Sequence, residues 1–300
     1  MFVLLDGGMG RELQRIGAPF SQPLWSAQAL IEAPEFVSQA HKNFIEAGCD
    51  VITVNSYACV PFHLGDELYQ SQGAALAEKA AKIARAAVQE NASQQEGIGA
   101  VKVAGCIPPV LGSYRPDLFD AEKATPILNT LIDAQAPHVD FWIAETIGSI
   151  AEFNTMFSVL ERSDKPAFFA FSVLETDTDI PRLRSGEPVE EAVQRACECN
   201  VDGILFNCSQ PEVMLGAIDV AKHNIDALGA NISLGAYANG FTVIKDAHEA
   251  NNTLTTVRDL FSEEYAEFVQ TWLDAGSNVV GGCCAIFPEH IKRLDGLRKS

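Results

Sequence analysis

Eight short apolar runs, separated by segments of helical periodicity, limit what this chain can fold into more than any other feature of it. The runs are Phe2 to Asp6, Asp50 to Asn55, Ala100 to Cys106, Asp140 to Glu145, Ala167 to Val173, Asp202 to Cys208, Asn231 to Tyr237 and Ser277 to Gly282. Most are continuously apolar rather than alternating, which is the pattern of parallel strands covered on both faces. Helical patterns fill the gaps, among them Pro34 to Ala47, Glu67 to Glu90, Glu122 to Ala136, Pro188 to Cys199, Pro211 to Leu228 and Glu263 to Ala275. Pro34, Pro188 and Pro211 fall where a helix would begin, a position whose amide has no partner in any case. Such regular alternation builds a parallel sheet covered by helices, and eight units fit a closed (β/α)8 TIM barrel better than an open doubly wound sheet. A single domain over residues 1–300 is expected, because barrels of this kind reach that length undivided.

In such barrels the chemistry lies at the C-terminal ends of the strands. The reactive residues of this chain fall there. Asp6-Gly7-Gly8 ends the first run, Asn55-Ser56-Tyr57 follows the second, Glu145-Thr146 ends the fourth, Cys208 ends the sixth, and Cys283-Cys284 follow the eighth. Neighbouring side chains of a regular strand point to opposite faces, so Cys283 and Cys284 can share one ion only where the strand breaks. Gly281 and Gly282 would permit that break by taking backbone angles closed to other residues. Three thiolates without an obvious fourth protein ligand describe a zinc (Zn2+) site with one position open, the arrangement of a catalytic rather than a structural site. The competing reading is that buried cysteines are small hydrophobes. It is preferred for Cys197 and Cys199, whose side chains diverge on a helix.

Other functions find little support. The segment Asp6-Gly7-Gly8-Met9-Gly10 lacks the spacing of a dinucleotide fingerprint, and no glycine-rich loop ends in Lys-Ser or Lys-Thr. With 21 Lys and Arg against 40 Asp and Glu, the net charge of −19 disfavours nucleic acid and anionic membrane as partners. The N-terminus carries no basic leader, and no run is long and apolar enough for a membrane span, so a cytoplasmic location is expected. Eight irregularly spaced cysteines in that setting suggest reduced thiols or metal ligands rather than a disulfide framework. The six histidines are scattered and form no metal-binding pair. Two longer connections, Ile107 to Asp117 and Ala238 to Leu260, would rim the barrel mouth as binding or merely solvated loops.

A zinc ion held by three thiolates is a poor activator of water but suits a substrate thiol, which it would hold deprotonated in a water-poor pocket. The natural reaction is displacement of a methyl group from a charged donor, with alignment as the enzyme's main contribution. A barrel metal-dependent hydrolase is the alternative, though it would want histidines or carboxylates at the strand tips. A non-catalytic zinc or thiol-binding protein is a third reading.

The chain resembles the homocysteine S-methyltransferases nearly from end to end. The resemblance rests on Asp6-Gly7-Gly8, Leu24-Trp25-Ser26-Ala27 with Pro34-Glu35, Ala47-Gly48-Cys49-Asp50, Pro108-Pro109 with Ser113-Tyr114-Arg115-Pro116-Asp117, Asn207-Cys208-Ser209, and Gly281-Gly282-Cys283-Cys284 with Pro288-Glu289-His290-Ile291. It implies a barrel with zinc on Cys208, Cys283 and Cys284, homocysteine sulfur as fourth ligand, and the Asp6-Gly7 turn and Glu145 holding the amino-acid end of homocysteine. The short form of the family implies a small sulfonium donor, S-methylmethionine first and S-adenosylmethionine second, so the expected partners are a thiol acceptor and a methyl donor. Two stretches depart from the family's usual pattern. Ala285-Ile286-Phe287 replace small polar residues, and Tyr237-Ala238-Asn239-Gly240 replace a Tyr-Pro-Asn-Ser-Gly tract. The first change would make the edge of the site more apolar. Phe287 and Tyr237 are aromatic surfaces that a cationic donor could face, or packing residues under the rim.

Overall fold

The structure, a computed structural model, describes residues 2–94, 100–175, 180–242 and 257–299. Its eight strands are β1 (Val3–Leu4), β2 (Val51–Thr53), β3 (Lys102–Ile107), β4 (Phe141–Ile147), β5 (Ala167–Phe171), β6 (Gly203–Asn207), β7 (Ser233–Tyr237) and β8 (Val279–Val280). They run parallel in the order β1-β8-β7-β6-β5-β4-β3-β2. A bridge between Leu5 and Val51 brings the two ends of the sheet together. The expected (β/α)8 barrel is therefore what the chain forms, with every strand but β4 shorter than the apolar run that announced it.

Helices cover the outside. The helix Pro34–Glu46 and the helix Pro211–Leu228 each open on the proline the sequence assigned to that position, while Pro188 sits one residue ahead of the helix Val189–Glu198. The connections at the start of the chain are richer than the periodicity suggests, because short helices Met9–Arg15, Ser26–Glu32 and Pro61–Leu64 are folded into them. The longest described helix, Asp66–Gln94, is rich in charged and small residues, and no described helix is long and apolar enough to cross a membrane. Part of the 238–260 connection lies outside the described residues.

Inside the barrel, each strand or its immediate end supplies one apolar side chain to a packed layer: Leu5, Val51, Ala104, Ile143, Ala170, Leu205, Tyr237 and Val279. Side chains two residues apart on a strand share a face, so the next inward position lies directly above this layer. That step carries Val51 to Thr53, Ala104 to Cys106 and Ile143 to Glu145. An apolar floor thus sets a polar layer at the C-terminal mouth. At the opposite end, Asp50, Asp140, Asp202 and Asn278 each precede a strand and accept a backbone N–H of the neighbouring one, from Leu4, Val103, Ala167 and Leu234 at 2.7 to 3.1 Å. These side chains satisfy amides that the ragged lower edge would leave unpaired.

Candidate active site

The cavity at the C-terminal mouth encloses about 100 Å³ and is lined by Asp6, Gly7, Glu145, Cys208, Cys283 and Cys284, the six residues expected to hold the metal and the acceptor. That is room for roughly seven to ten water-sized groups, the bulk of a small amino acid. Its remaining walls include Thr53, Cys106 and the aromatic residues Trp25, Tyr57, Tyr114 and Tyr237. No described histidine lines it, and the donors present are thiols and carboxyls rather than the histidines of a hydrolytic metal site.

The three cysteines arrive by separate local devices. Cys208 follows β6 at a φ of 51°, so the chain turns sharply as the strand ends. Cys283 is held where the backbone of the β8 end crosses that of the β7 end: its amide donates to Ala238 O at 2.9 Å, and Gly240 N donates to Cys284 O at 2.8 Å. Buried Tyr265 ties the two ends together, donating its hydroxyl to Gly281 O at 2.7 Å and accepting from Ala238 N at 3.1 Å. The glycines before the cysteines play a different part from the one expected of them. Neither Gly281 nor Gly282 has a positive φ; the left-handed residues nearby are Cys208 and Ala285. What the glycines provide is room. A Cβ on Gly282 would stand 2.2 Å from Ile286 Cγ2, and one on Gly281 would stand 2.6 Å from Leu5 Cβ.

One sulfur from each of Cys208, Cys283 and Cys284 lies within 4.8 Å of the others. Three thiolates on a tetrahedral ion would stand about 3.8 Å apart, so the cluster matches the donor set of such a site. In this structure Cys208 and Cys283 are joined as a disulfide with Cα atoms 5.7 Å apart, and Cys284 is free. One pair is not a framework, and both of its cysteines belong to the candidate metal set, so the expectation of reduced thiols or metal ligands is not overturned. The remaining described cysteines are unpaired, and Cys197 and Cys199 are half-buried against the outer core, as expected of packing residues. A disulfide and a metal are exclusive uses of the same two sulfurs, because only thiolates ligate. Burial pushes the Cys284 thiol up to about 12, so a thiolate there calls for a compensating cation.

The acids belong to the polar layer above the apolar floor. Glu145 sits at a register shift between β4 and β5, next to Thr146 at φ 58°. A bulge of this kind re-aims a side chain at the end of a strand. Asn207 fixes it, accepting from Thr146 N at 2.9 Å and donating to Thr146 Oγ1 at 3.1 Å. Glu145 accepts from Cys106 Sγ at 3.2 Å and from Tyr237 Oη at 3.1 Å. Asp6 accepts from Thr53 N at 2.8 Å and Thr53 Oγ1 at 3.1 Å. Burial raises both carboxyls, Asp6 to about 8, against the lowering effect of these hydrogen bonds. Neither acid has a salt-bridge partner among the described residues. Two buried carboxyls without a cation form a receptor for one. Gly7 lies in the same wall and belongs there for want of space, since its Cβ would stand 2.3 Å from Ile286 O. The amide of Gly8 is already used, donating to Ile286 O at 2.8 Å.

Several lining residues carried no role in the sequence reading. Cys106 and Thr53 are placed by the period of two that places Glu145, so that signal was available. Trp25 and Tyr114 come from connections, where no periodicity marks them, while Tyr57 stands where the sequence placed it, after the second strand. Trp25 meets Tyr57 edge to face at 5.9 Å, and the Tyr57 hydroxyl lies 2.7 Å from Ser113 Oγ. Tyr237 lines the cavity with its hydroxyl committed to Glu145, whereas Phe287 lies outside the lining, against Arg15 and His290. Ala285 and Ile286 are buried beneath the rim and do not line the cavity either, so the apolar departure falls on packing rather than on the edge of the site.

Known proteins share both sequence and shape with this chain. A selenocysteine methyltransferase of Astragalus bisulcatus is 27% identical over 97% of the chain and 90% of its own length. The homocysteine S-methyltransferase of Escherichia coli strain K12 is 26% identical over 97% of the chain and 94% of its own length. In shape, the metallated form of the homocysteine methyltransferase MmuM from Escherichia coli superposes with a TM-score of 0.80 at 24% identity, covering 99% of this chain and 96% of that one. Its oxidized form superposes at 0.79. The homocysteine S-methyltransferase family model matches residues 3–297. A mouth lined by three cysteines and two acids, on a barrel matched along its whole length, thus places the chain in the homocysteine S-methyltransferase family, enzymes that transfer a methyl group to homocysteine to give methionine.

Proposed function

We propose that this enzyme moves a methyl group from a small sulfonium donor, S-methylmethionine first, to the sulfur of homocysteine, at a zinc ion held by Cys208, Cys283 and Cys284. The observation that carries the reading is the juxtaposition in one cavity of three clustered cysteine sulfurs with two buried carboxyls that lack a cation. Zinc, when bound, supplies the positive charge that keeps an incoming thiol deprotonated near neutral pH. Everything else falls to the chain. Asp6 and Glu145 bind the acceptor's ammonium, and Cys106, Tyr237 and Thr53 orient the two carboxylates by donating to them. The carboxylate of the same amino acid is offered the Gly7 amide, which has no acceptor among the described residues. Trp25, Tyr57 and Tyr114 exclude water and face a cationic donor with aromatic surface. In the transfer, a lone pair of the acceptor sulfur forms the new S–CH3 bond. The old bond breaks with its electron pair left on the donor sulfur, which departs as a neutral thioether. No proton moves in that step, so the enzyme's task is alignment.

The reading is tested by a methyl-transfer assay on reduced, zinc-loaded protein, with homocysteine as acceptor and S-methylmethionine, S-adenosylmethionine and betaine as separate donors. Methionine should form from S-methylmethionine, less from S-adenosylmethionine and not from betaine, and chelation should stop it. One zinc per chain with no methionine from any donor would overturn the proposal and favour a non-catalytic relative or another acceptor. Selenocysteine is the first acceptor to try in that event.

A further inference from the structure

A second hollow opens beside the cavity just described, and Tyr114 lines both. Arg184, Glu187, Asp117, Phe119 and Leu174 are among its other walls. Arg184 belongs to the excursion after β5, where Val173 pairs with Leu183 and Arg182 with Pro188 in antiparallel bridges. Its place is fixed by the backbone, since Arg184 N donates to Ser172 O at 3.3 Å and Ser185 N to Gly148 O at 2.9 Å. The side chain is only 5% exposed. Its Nε donates to Ser172 Oγ at 3.1 Å, and its Nη2 donates to Glu175 Oε1 at 3.2 Å and, at longer range, to Ser209 Oγ at 3.4 Å. Ser209 is the residue after Cys208. The guanidinium lies over Tyr114, 5.1 Å from the ring centroid. No described residue accepts a hydrogen bond from Nη1.

A guanidinium withdrawn from water with a donor unused is costly, and its planar fork is the natural partner of a carboxylate. The same hollow holds Glu187, which pairs with no cation among the described residues, and Asp117, whose carboxylate already pairs with Arg115 at 2.7 and 2.8 Å; a guanidinium facing an uncompensated carboxylate suits a zwitterion rather than a simple anion. Tyr114, which lines both cavities, packs with Cys284 against the same small cluster of Phe241 and Ala285, so one ring adjoins both the hollow and the sulfur site. In an amino-acid sulfonium such as S-methylmethionine, the sulfur and the carboxylate carbon are about 5 Å apart, enough to pass the edge of an aromatic ring.

Resting on the reaction assigned above, we propose that this hollow receives the amino-acid end of the methyl donor, with Arg184 taking its α-carboxylate. The enzyme then selects donors by their head group as well as by their sulfonium. Arg184 is a specificity residue, and it leaves the acceptor's own amino-acid end to Asp6 and Glu145.

The test compares kcat/KM for S-methylmethionine and for its carboxamide, which keeps the sulfonium and the ammonium but loses the carboxylate. Wild-type protein should prefer the carboxylate by about tenfold or more, the effect of a buried charge-assisted hydrogen bond. Arg184→Gln should lose the preference, because its kcat/KM for S-methylmethionine falls to that for the carboxamide while the homocysteine KM stays within about twofold. Removing Arg184 alone leaves Glu175 buried beside it, so the Glu175→Gln, Arg184→Gln pair is measured alongside; where neither variant folds, the wild-type comparison decides. Equal use of both donors by wild type, or a preference that survives in a folded variant, overturns the inference while leaving the reaction intact. Absence of turnover with every sulfonium overturns the reaction and this inference with it.

Discussion

Alanine in place of Cys208, Cys283 or Cys284 is expected to strip the metal from the reduced protein and abolish methyl transfer while the barrel stays folded. The magnitude follows from the ligand count. Structural zinc in zinc-finger peptides is worth roughly 10–16 kcal/mol; on that scale one ligand in four is worth about 3 kcal/mol and its loss weakens binding by about 10²-fold. The fold should survive because the mouth is held by other bonds, those of Tyr265 to the β7 and β8 ends and of Asn207 to Thr146, none of which involves a thiol. Metal content after dialysis, read beside the circular dichroism melt of the metal-free protein, separates the two effects. Reductant must be present throughout, since Cys208 and Cys283 otherwise remain joined in the Cys284→Ala variant. A variant that retains one zinc per chain removes that cysteine from the ligand set.

Glu145→Gln is expected to raise the KM for homocysteine by about 10²-fold or more with metal content unchanged. Glutamine keeps the shape and the acceptor for Tyr237 Oη but removes the charge. Opening a buried ion pair by neutralising one partner costs about 3–5 kcal/mol, which sets the scale of the effect. The substitution should also stabilise the substrate-free enzyme, because burial already raises the Glu145 carboxyl and its charge goes uncompensated until an ammonium arrives. A higher KM together with a higher melting temperature is therefore the signature of a binding carboxylate; a structural one would lower the melting temperature. An unchanged KM would take Glu145 out of the acceptor site.

How legible the site was in the sequence depended on which physical rule places each residue. Strand-borne residues were legible, because strands buried on both faces read as apolar runs and the barrel gathers their ends at one mouth. Cys208, Glu145 and Asp6 were found that way, and the same period of two could have found Thr53 and Cys106. The glycines were identified but misunderstood. Sequence suggests unusual backbone angles at Gly281 and Gly282, whereas their use is the close approach of Leu5 and Ile286, and the positive φ falls instead on Cys208 and Ala285. Close approach is a property of two segments distant in the chain, so one segment read alone does not reveal it. Tyr57 was legible as the residue that follows the second strand, whereas Trp25, Tyr114 and Arg184 sit on connections whose path is set by tertiary contacts, and no local pattern ties them to the site. Ala285 to Phe287 show the converse: a local departure expected to make the edge of the site more apolar is mainly packing beneath the rim.

The most direct measurement is X-ray absorption at the zinc edge, on the reduced, zinc-loaded enzyme before and after adding homocysteine. Three sulfurs and one lighter atom near 2 Å, becoming four sulfurs at about 2.3 Å when homocysteine is present, is the result expected of a site in which Cys208, Cys283 and Cys284 leave one position for the acceptor. A metal already held by four protein ligands, or a first shell that does not change on adding homocysteine, would contradict the account.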